Sequence, residues 1–306
     1  MNQSLIEQAK ALIASGLSQR TIAAQLNIPR STLGDWLRAD KPKEKVVGGP
    51  RILILDVENS PSRAYVWQRW KANVGQNQVI SEAYLLTYAA KWLGEDLVIS
   101  GRIDQQLDEG FEDDKRIVAE LADLLNQADI VVAHNGKRHD FSLINTRMLA
   151  HGMTPPSPYR MLDTLELAKQ VFKFPSNSLD SICAYLGLSR KIDTGGFELW
   201  SRCMDGDDEA FEEMLEYNIQ DVFILEEAYL KLRAWWPKHP SVAPYYNDGK
   251  AHCPCCGSTS LIEDSMAYTN LSQFASYVCS DCGKVSRGKK NLRNKDSMTN
   301  TLTNVI

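Results

Sequence analysis

The alternation of hydrophobic and polar positions divides the chain into three segments. In the middle segment, Arg51–Asp56 is an almost unbroken apolar run, which predicts a strand buried on both faces. The same pattern predicts strands around Leu85–Lys91, Leu97–Arg102 and Asp129–Ala133, and helices over Asp114–Asn126, Phe141–His151, Ser178–Leu186 and Asp208–Trp235. Strands followed by mixed strands and helices indicate an α/β layered fold.

The apolar positions of the first segment, residues 1–45, have helical spacing. Residues 5–14 predict one helix, and two short helices around a tight turn follow it. Ser18 can cap the first helix of this pair, and Asn27 lies at the turn, where a left-handed residue is usually required. The apolar contacts of the pair would come from Ile22, Leu26, Ile28, Leu33 and Trp36.

This helix pair resembles the helix-turn-helix of resolvases and many regulators, over about forty residues. If the segment binds DNA, its second helix would enter the major groove. The residues facing the DNA would then be Arg30, Ser31, Thr32, Asp35 and Arg38. The alternative is a three-helix packing or protein-interaction module whose arginines are simply solvated.

Composition and charge add the location and a division of charge. The 306 residues are 43% hydrophobic and 24% charged, as in a soluble protein of two or three domains. The chain has no apolar run of membrane-spanning length and no secretory pattern at its start, so we expect a cytoplasmic protein without a membrane partner. The net charge of −5 combines +3 in residues 1–45 and +2 in residues 251–306 with −10 between them. Basic flanks suit phosphates and an acidic middle suits cations, although ordinary solvated charge gives the same division.

Carboxylates recur at the predicted strand ends and on one predicted helix. Asp56 and Glu58 close the first strand and face the same side, about 6–7 Å apart along it. They repel each other unless a cation lies between them. Asp140 begins a predicted helix after a strand and loop, and Tyr217 shares a helix face with Asp221 four residues later.

In this order the residues resemble the DEDD exonuclease superfamily, in its tyrosine form. The resemblance rests on Asp56–Pro61, His134–Asp140 and Tyr217–Asp221, and it covers about 190 residues. It is closest to the stand-alone RNase H-like exonucleases of bacteria and phages. His139 departs from the family, which usually has an aromatic residue there. The resemblance implies a mixed sheet flanked by helices, an RNase H-like core over residues 50–240.

The resemblance also implies two Mg²⁺ or Mn²⁺ ions, about 3.5–4 Å apart. One ion would generate hydroxide from a water that Tyr217 orients, and the other would stabilise the leaving 3′ oxygen. The product would be a nucleoside 5′-monophosphate. The ions would be held by Asp56, Glu58, Asp140 and Asp221, with Asp56 bridging them.

The loop that precedes Asp140 has two interpretations. His134 and Asn135 would either position the terminal nucleotide or form a structural loop. Asp163, which follows later in the chain, is interpreted as a supporting or structural residue.

Five of the seven cysteines crowd into the third segment. Two C-x2-C pairs, each followed by glycine, are separated by 22 residues. This spacing predicts one structural Zn²⁺ held by Cys253, Cys256, Cys279 and Cys282, although a register that uses Cys255 stays open. Residues 250–292 resemble a zinc ribbon, which would contact nucleic acid through aromatic and basic side chains or act only in docking or stabilisation. Residues 293–306 are polar and predict a flexible tail.

The leading hypothesis is an exonuclease that hydrolyses DNA from single-stranded or frayed 3′ ends, with flanking modules that recruit DNA, including duplex through the helix-turn-helix. RNA is an alternative substrate because no residue in the pattern reads a 2′-hydroxyl. A DNA-binding regulator that uses the nuclease fold as a scaffold is a second alternative. A scaffold, however, has no need of mutually repelling carboxylates.

Deleting residues 1–45 should weaken binding of duplex DNA and reduce its salt dependence, because the deletion removes the net positive charge of that segment. Turnover of a saturating short oligomer should stay nearly unchanged. A titration of duplex DNA across a salt series measures both quantities. Equal affinity and equal salt slope in the truncated protein would reassign the segment to packing or protein contact.

Overall fold

A computed structural model describes most of the chain. The residues it describes are Leu5, Gln8, Ala9, Leu12, Ile22, 24–28, 48–104, 106–110, 112–191 and 195–303.

Ten strands and seven α-helices lie within these residues. The strands are β1 (Ile52–Asn59), β2 (Arg63–Ala64), β3 (Val79–Ser81), β4 (Leu85–Trp92), β5 (Val98–Arg102), β6 (Ile130–Ala133), β7 (Arg160–Asp163), β8 (Leu261–Tyr268), β9 (Gln273–Cys279) and β10 (Val285–Arg287). The helices are α1 (Lys115–Gln127), α2 (Asp140–Ala150), α3 (Thr164–Val171), α4 (Leu179–Leu186), α5 (Phe197–Met204), α6 (Asp208–Leu232) and α7 (Lys295–Thr299).

A mixed five-stranded sheet forms the centre, in the order β5-β4-β1-β6-β7. β1 lies in the middle, antiparallel to β4 and parallel to β6, so it has neighbours on both edges. Leu53 and Leu55 of β1 pack into one apolar cluster with α1 and α2. Ile52 and Ile54 pack into the other cluster with α3, α4 and α6. Helices on both faces of a mixed sheet confirm the predicted α/β class.

Most predicted elements of the core occur within a few residues of their expected positions. The elements that the sequence pattern did not predict are β2 with β3, β7, α3 and α5. β7 has only four residues, and α3 starts at the residue directly after it, so neither leaves a long periodic pattern. The predicted helix Asp208–Trp235 is α6 followed by a 3-10 turn at Arg233–Trp235.

Among the helices that the structure describes, α6 is the longest, and it is fixed at both ends. Asp207 caps its start by accepting hydrogen bonds from the backbone N–H groups of Glu209 and Ala210. Near its end, buried Glu226 forms an ion pair with Lys91 of β4 and accepts a hydrogen bond from the backbone N–H of Gly94 at 2.9 Å. These contacts fix the position of α6 along β4. They therefore also fix the positions of the functional residues on α6.

The described part of the N-terminal segment agrees with the predicted packing. Ile22 and Ala9 are buried, and Leu12, Leu26 and Ile28 pack against them. Asn27 has φ 51°, the left-handed conformation expected at the turn. The predicted DNA contacts lie outside the described residues, so the helix-turn-helix stays a prediction: Arg30, Ser31, Thr32 and Arg38.

The C-terminal segment is a separate three-stranded antiparallel sheet, β10-β9-β8. Beyond it, where a flexible tail is expected, residues Lys295–Thr299 form α7. Asn294 caps this helix, and Arg293 donates a hydrogen bond to the carbonyl oxygen of Leu271 at 3.0 Å. Side-chain bonding thus gives part of this tail a defined structure, which its mostly polar composition did not suggest.

Across the part of the chain that the structure describes, every helix is too short or too polar to span a lipid bilayer.

Candidate functional site

The last residues of β1 place two carboxylates on the same face of the sheet. Asp56 and Glu58 alternate with buried Val57, and they lie opposite Ala89 and Thr87 of β4. They belong to the face that carries Ile52 and Ile54. On this face of β1, the apolar side chains Ile52 and Ile54 are followed directly by the two carboxylates.

α6 brings a third carboxylate to the same place. Carboxylate oxygens of Asp56, Glu58 and Asp221 all lie within 4.8 Å of one another. Asp221 is 1% exposed, and its Oδ1 is buried without a hydrogen-bond partner among the residues that the structure describes. A buried carboxylate oxygen without a hydrogen-bond partner is destabilising, so this atom is suited to bind a cation.

Asn218, one turn before Asp221, holds the first carboxylate in position. Its Nδ2 donates to Asp56 Oδ2 at 2.7 Å, and its Oδ1 accepts from the hydroxyl of Thr87 at 3.1 Å. Asn218 is fully buried, so both bonds are protected from water. The hydrogen bonds from Thr87 to Asn218 and from Asn218 to Asp56 therefore link β4, α6 and β1 at the site.

Lys191 supplies a positive charge to the cluster. Its ammonium group forms an ion pair with Oδ2 of Asp221 and donates to the hydroxyl of Tyr217 at 3.0 Å. Although burial opposes ionisation, the neighbouring Asp221 raises the pKa of Lys191 above its ordinary value. Lys191 is thus a charged cation at the place where the carboxylates converge.

Burial and mutual repulsion keep these carboxyl groups from ionising freely. Burial, followed by the charges of Glu58, Asp221 and Asp140, raises the pKa of Asp56 well above its ordinary value. Burial raises the pKa of Glu58 to about 8, with Lys191 opposing and Asp221 and Asp140 reinforcing the shift. Within these groups negative charge is in excess, which is the condition for binding a cation.

Asp140 lies beside this cluster rather than within it. It is the first residue of α2 and is not among the three residues whose oxygens converge within 4.8 Å. Its charge still reaches Asp56 and Glu58, whose pKa values it raises. Burial and the charge of Asp163 raise the pKa of Asp140 itself to about 7. Its role as a metal ligand stays a prediction.

The loop between β6 and α2 is tightly packed. Asn135 has φ 65°, and a Cβ on Gly136 would lie 2.5 Å from the Cβ of Ala133. Asp163 accepts hydrogen bonds from the backbone N–H groups of Asn135 at 2.9 Å and Lys137 at 3.2 Å, and it also caps α3. Asp163 is therefore a structural residue of the loop that leads to Asp140.

His134 is held by the protein through both ring nitrogens. Nε2 lies 3.0 Å from the carbonyl oxygen of Asn177, which can only accept, so Nε2 carries the proton. Nδ1 then accepts from the hydroxyl of Thr164 at 2.8 Å. Burial lowers the pKa of His134 to about 4, so the ring is neutral at pH 7. These bonds give His134 a structural role, and nucleotide contacts by His134 and Asn135 stay predictions.

An open cleft of about 400 Å³ borders the carboxylates. It is lined by Glu58, Asn59, Pro61, Phe197 and Trp200. The ring of Trp200 contacts that of Tyr217 edge-on, at 6.4 Å between centroids. The cleft thus joins polar residues at the end of β1 to aromatic residues on α5.

The four predicted cysteine ligands form a second site. The Sγ atoms of Cys253, Cys256, Cys279 and Cys282 lie within 4.8 Å of one another. Gly257 and Gly283 have φ 80° and 74° and close matching turns, since their N–H groups donate to the carbonyl oxygens of Cys253 and Cys279.

Cys255 is buried nearby but is outside this group of four. Burial works against ionisation of Cys279, but hydrogen bonds from the backbone N–H groups of Cys282 and Asp281 bring its pKa down to about 7. Four convergent thiols, one of them readily ionised, fit a tetrahedral zinc ion.

Sequence reasoning missed three residues of the carboxylate site. Asn218 lies three residues before Asp221, so the spacing that linked Tyr217 to Asp221 could also have identified it. Lys191 and Trp200 have no local sequence signal, because both reach the site only through contacts with α6, which is distant in the sequence.

Residues 84–233 match the RNase H superfamily. The matched segment runs from β4 to α6 and includes Asp140, Tyr217 and Asp221, whereas β1 precedes it. With the mixed five-stranded sheet flanked by helices, the match gives the core an RNase H-like fold and supports an RNase H-like nuclease. No curated protein matches the sequence.

Among solved structures, the chain is similar to the family B DNA polymerase from the hyperthermophilic archaeon Pyrobaculum calidifontis, with TM-score 0.42 and 15% identity. The alignment covers 61% of this chain and 26% of the polymerase chain, so the chain spans about a quarter of that polymerase.

Without Mg²⁺ or Mn²⁺, the zinc-loaded protein should lose stability as pH rises from about 6 to about 8, the upper part of the interval between the ordinary pKa of Glu58, 4.5, and its folded value of about 8. Glu58 keeps its proton in the folded state up to about pH 8, whereas the unfolded chain has already released it, so ionisation opposes folding in this window. One proton changes stability by at most about 1.4 kcal/mol per pH unit, so the melting temperature should fall by about 2–5 °C per pH unit.

Thermal melts of the parent and of Glu58→Gln, which cannot ionise, measure the contribution of this carboxyl group. The variant should have a flatter pH dependence, and saturating Mg²⁺ should remove the parent's decline because the ions bind ionised carboxylates. Equal slopes in parent and variant would show that Glu58 does not hold its proton in this range.

Cys279→Ser should lose zinc and unfold residues 250–292, because the small sheet has few apolar contacts beyond its cysteines. Elemental analysis and hydrogen exchange of that segment measure both effects. Cys255→Ser is the matched control and should keep about one zinc per chain. Zinc loss in Cys255→Ser with retention in Cys253→Ser or Cys256→Ser would establish the alternative register, because Cys279 is a ligand in both registers.

Proposed function

We propose that this protein is a metal-dependent 3′–5′ exonuclease that hydrolyses phosphodiester bonds of DNA at single-stranded or frayed ends. The observation that supports it most is the convergence of Asp56, Glu58 and Asp221 within 4.8 Å, in a core whose fold is RNase H-like. Hydrolysis from the 3′ end would release nucleoside 5′-monophosphates.

The donor set fits two Mg²⁺ or Mn²⁺ ions. These ions prefer carboxylate oxygens, and Asp221 Oδ1 offers a buried oxygen without a partner among the described residues. The residues that would hold them are Asp56, Glu58, Asp140 and Asp221. Bound ions would supply a hydroxide at neutral pH and stabilise the leaving 3′ oxygen.

Three side chains prepare the site for this chemistry. Asn218 fixes one oxygen of Asp56 and leaves the other for a ligand. Tyr217 presents its hydroxyl next to Asp221, and burial raises the pKa of Tyr217 to about 12, so the hydroxyl keeps its proton and can orient a water. Lys191 pairs with Oδ2 of Asp221, so it would compete with a metal ion for that oxygen.

We also infer that Cys253, Cys256, Cys279 and Cys282 hold one structural Zn²⁺. Four thiolate ligands would satisfy the usual coordination of zinc and would leave no position for a reacting water. The ion would therefore stabilise the ribbon rather than take part in hydrolysis.

Asp56→Ala should remove nearly all metal-dependent cleavage of single-stranded DNA, and Asp221→Ala should be close to it, because each change deletes a direct ligand. Tyr217→Phe removes only a hydroxyl and keeps the ring against Trp200, so its rate should fall by about 10²-fold. Degradation of a 5′-labelled oligomer with Mg²⁺ or Mn²⁺, and without either ion, measures these rates and the direction of cleavage.

Glu216→Ala is the matched control, since it removes an exposed carboxylate from the same helix next to Tyr217. It should cleave at the parental rate. A DNA and an RNA oligomer of equal sequence distinguish the proposed substrate from RNA. If purified, folded Asp56→Ala degraded both as fast as the parent, the carboxylate centre would not be the active site.

A further inference from the structure

A loop with exposed aromatic side chains leaves the sheet directly after the candidate site. β2 and β3 pair as a short antiparallel ribbon, and residues 65–78 between them are called the aromatic loop. Its residues 65–77 are all exposed. Trp67 is 97% exposed, Trp70 84% and Tyr65 75%.

Packing does not account for these side chains. Burial of a large aromatic ring is strongly favourable, although single exposed apolar residues are common on protein surfaces. This loop differs because three aromatic rings within six residues face solvent. The loop is nevertheless attached in a defined way, since the N–H of Tyr65 donates to the carbonyl oxygen of Gln78 at 2.9 Å and Gln78 Nε2 donates to the carbonyl oxygen of Tyr65.

The charge of the loop is opposite to that of the segment around it. Residues 59–81 contain Arg63, Arg69 and Lys71 and no Asp or Glu, within a middle segment that carries −10. Arg63 forms an ion pair with Glu112. Arg69 and Lys71 are exposed, and no acidic group among the described residues pairs with either. The loop thus offers two uncompensated cations, one between Trp67 and Trp70 and one directly after Trp70.

The loop is also continuous with the cleft. Pro61 lines the cleft together with Glu58, and Tyr65 follows only seven residues after Glu58. A chain-like ligand that leaves the cleft past Pro61 therefore comes to the base of the loop.

We propose that the aromatic loop binds the unpaired nucleic-acid strand whose 3′ end lies at the carboxylates. Its bases stack on Tyr65, Trp67 and Trp70, and its phosphates lie near Arg69 and Lys71. This rests on the proposed function, because the site supplies the end of the strand. Stacking accepts any base, which suits an enzyme that removes nucleotides in turn. The loop combines aromatic rings with cations and has no acidic residue. This combination suits a phosphodiester chain as the partner better than it suits an apolar protein surface.

The double variant Trp67→Ala/Trp70→Ala tests the proposal, since both side chains are exposed and the fold should be unchanged. The measurement uses the Asp56→Ala background, which should prevent cleavage of the ligand. In this background the Kd of the double variant for an oligomer of about 12 nucleotides should rise about 10-fold or more. Fluorescence anisotropy measures the Kd separately for oligo(dT) and oligo(U). The Phe/Phe double variant keeps stacking rings and should restore most of the affinity. Trp235→Ala, an exposed tryptophan outside the loop, is the control.

Two further measurements separate stacking from chemistry. With residue 56 intact, the alanine double variant should raise KM for the oligomer and keep the parental rate on a nitrophenyl ester of thymidine 5′-monophosphate, which is too short to reach the loop. Arg69→Ala/Lys71→Ala should reduce the slope of log K against log salt by about 1.4, the value for two lost phosphate contacts.

Parental affinity of the alanine double variant for both oligomers would overturn the proposal and assign the exposed rings to a protein contact. That result leaves the proposed function untouched if the parent still hydrolyses the ester. Conversely, the proposed function would be refuted if the parent protein hydrolysed neither the ester nor the oligomer. In that case, a selective loss of binding in the double variant would still support the loop as a strand-binding surface.

Discussion

The repulsion between Asp56, Glu58 and Asp221 is the constraint on which the rest of the site depends. Three carboxylates that converge within 4.8 Å in a largely buried place cannot all ionise without a positive charge between them. Lys191 supplies one such charge, and protons on Glu58 and Asp140 relieve part of the remainder. A divalent cation would satisfy the same need more completely, because it offers two charges and can bind several oxygens at once.

The fold holds these groups together against their repulsion. β1 is paired with β6 over Ile52–Ile54 and with β4 as far as Asp56 and Glu58, so both carboxylates extend from a strand anchored in the sheet. α6 is held by its cap at Asp207 and by the buried ion pair of Glu226 with Lys91. Asp221 lies five residues before Glu226 on this helix, so it cannot retreat from β1 without breaking that pair. Rigid attachment of this kind is what a preorganised metal site requires.

The sequence predicted the parts of this structure that have local patterns. The apolar run of β1 indicated a buried strand, and the two-residue spacing of Asp56 and Glu58 placed them on one face. The spacing of the two C-x2-C pairs indicated that their four thiols converge. Lys191 could not be found in this way, because its partners are 26 and 30 residues away and no periodicity connects them. The exposed rings at Trp67 and Trp70 were missed for the opposite reason, since aromatic residues between strands are usually taken as core.

The distribution of charge sets a problem for any nucleic-acid substrate of this protein. A middle segment with a net charge of −10 repels a polyanion, and the carboxylates that the chemistry needs are the strongest part of that field. Bound divalent ions cancel the charge only at the reacting phosphate, so the rest of the strand needs attraction of another kind. Stacking is independent of net charge, and the aromatic loop combines it with two cations at the edge of the cleft. Local stacking together with the basic terminal segments would let an acidic core hold a polyanion without giving up the carboxylates.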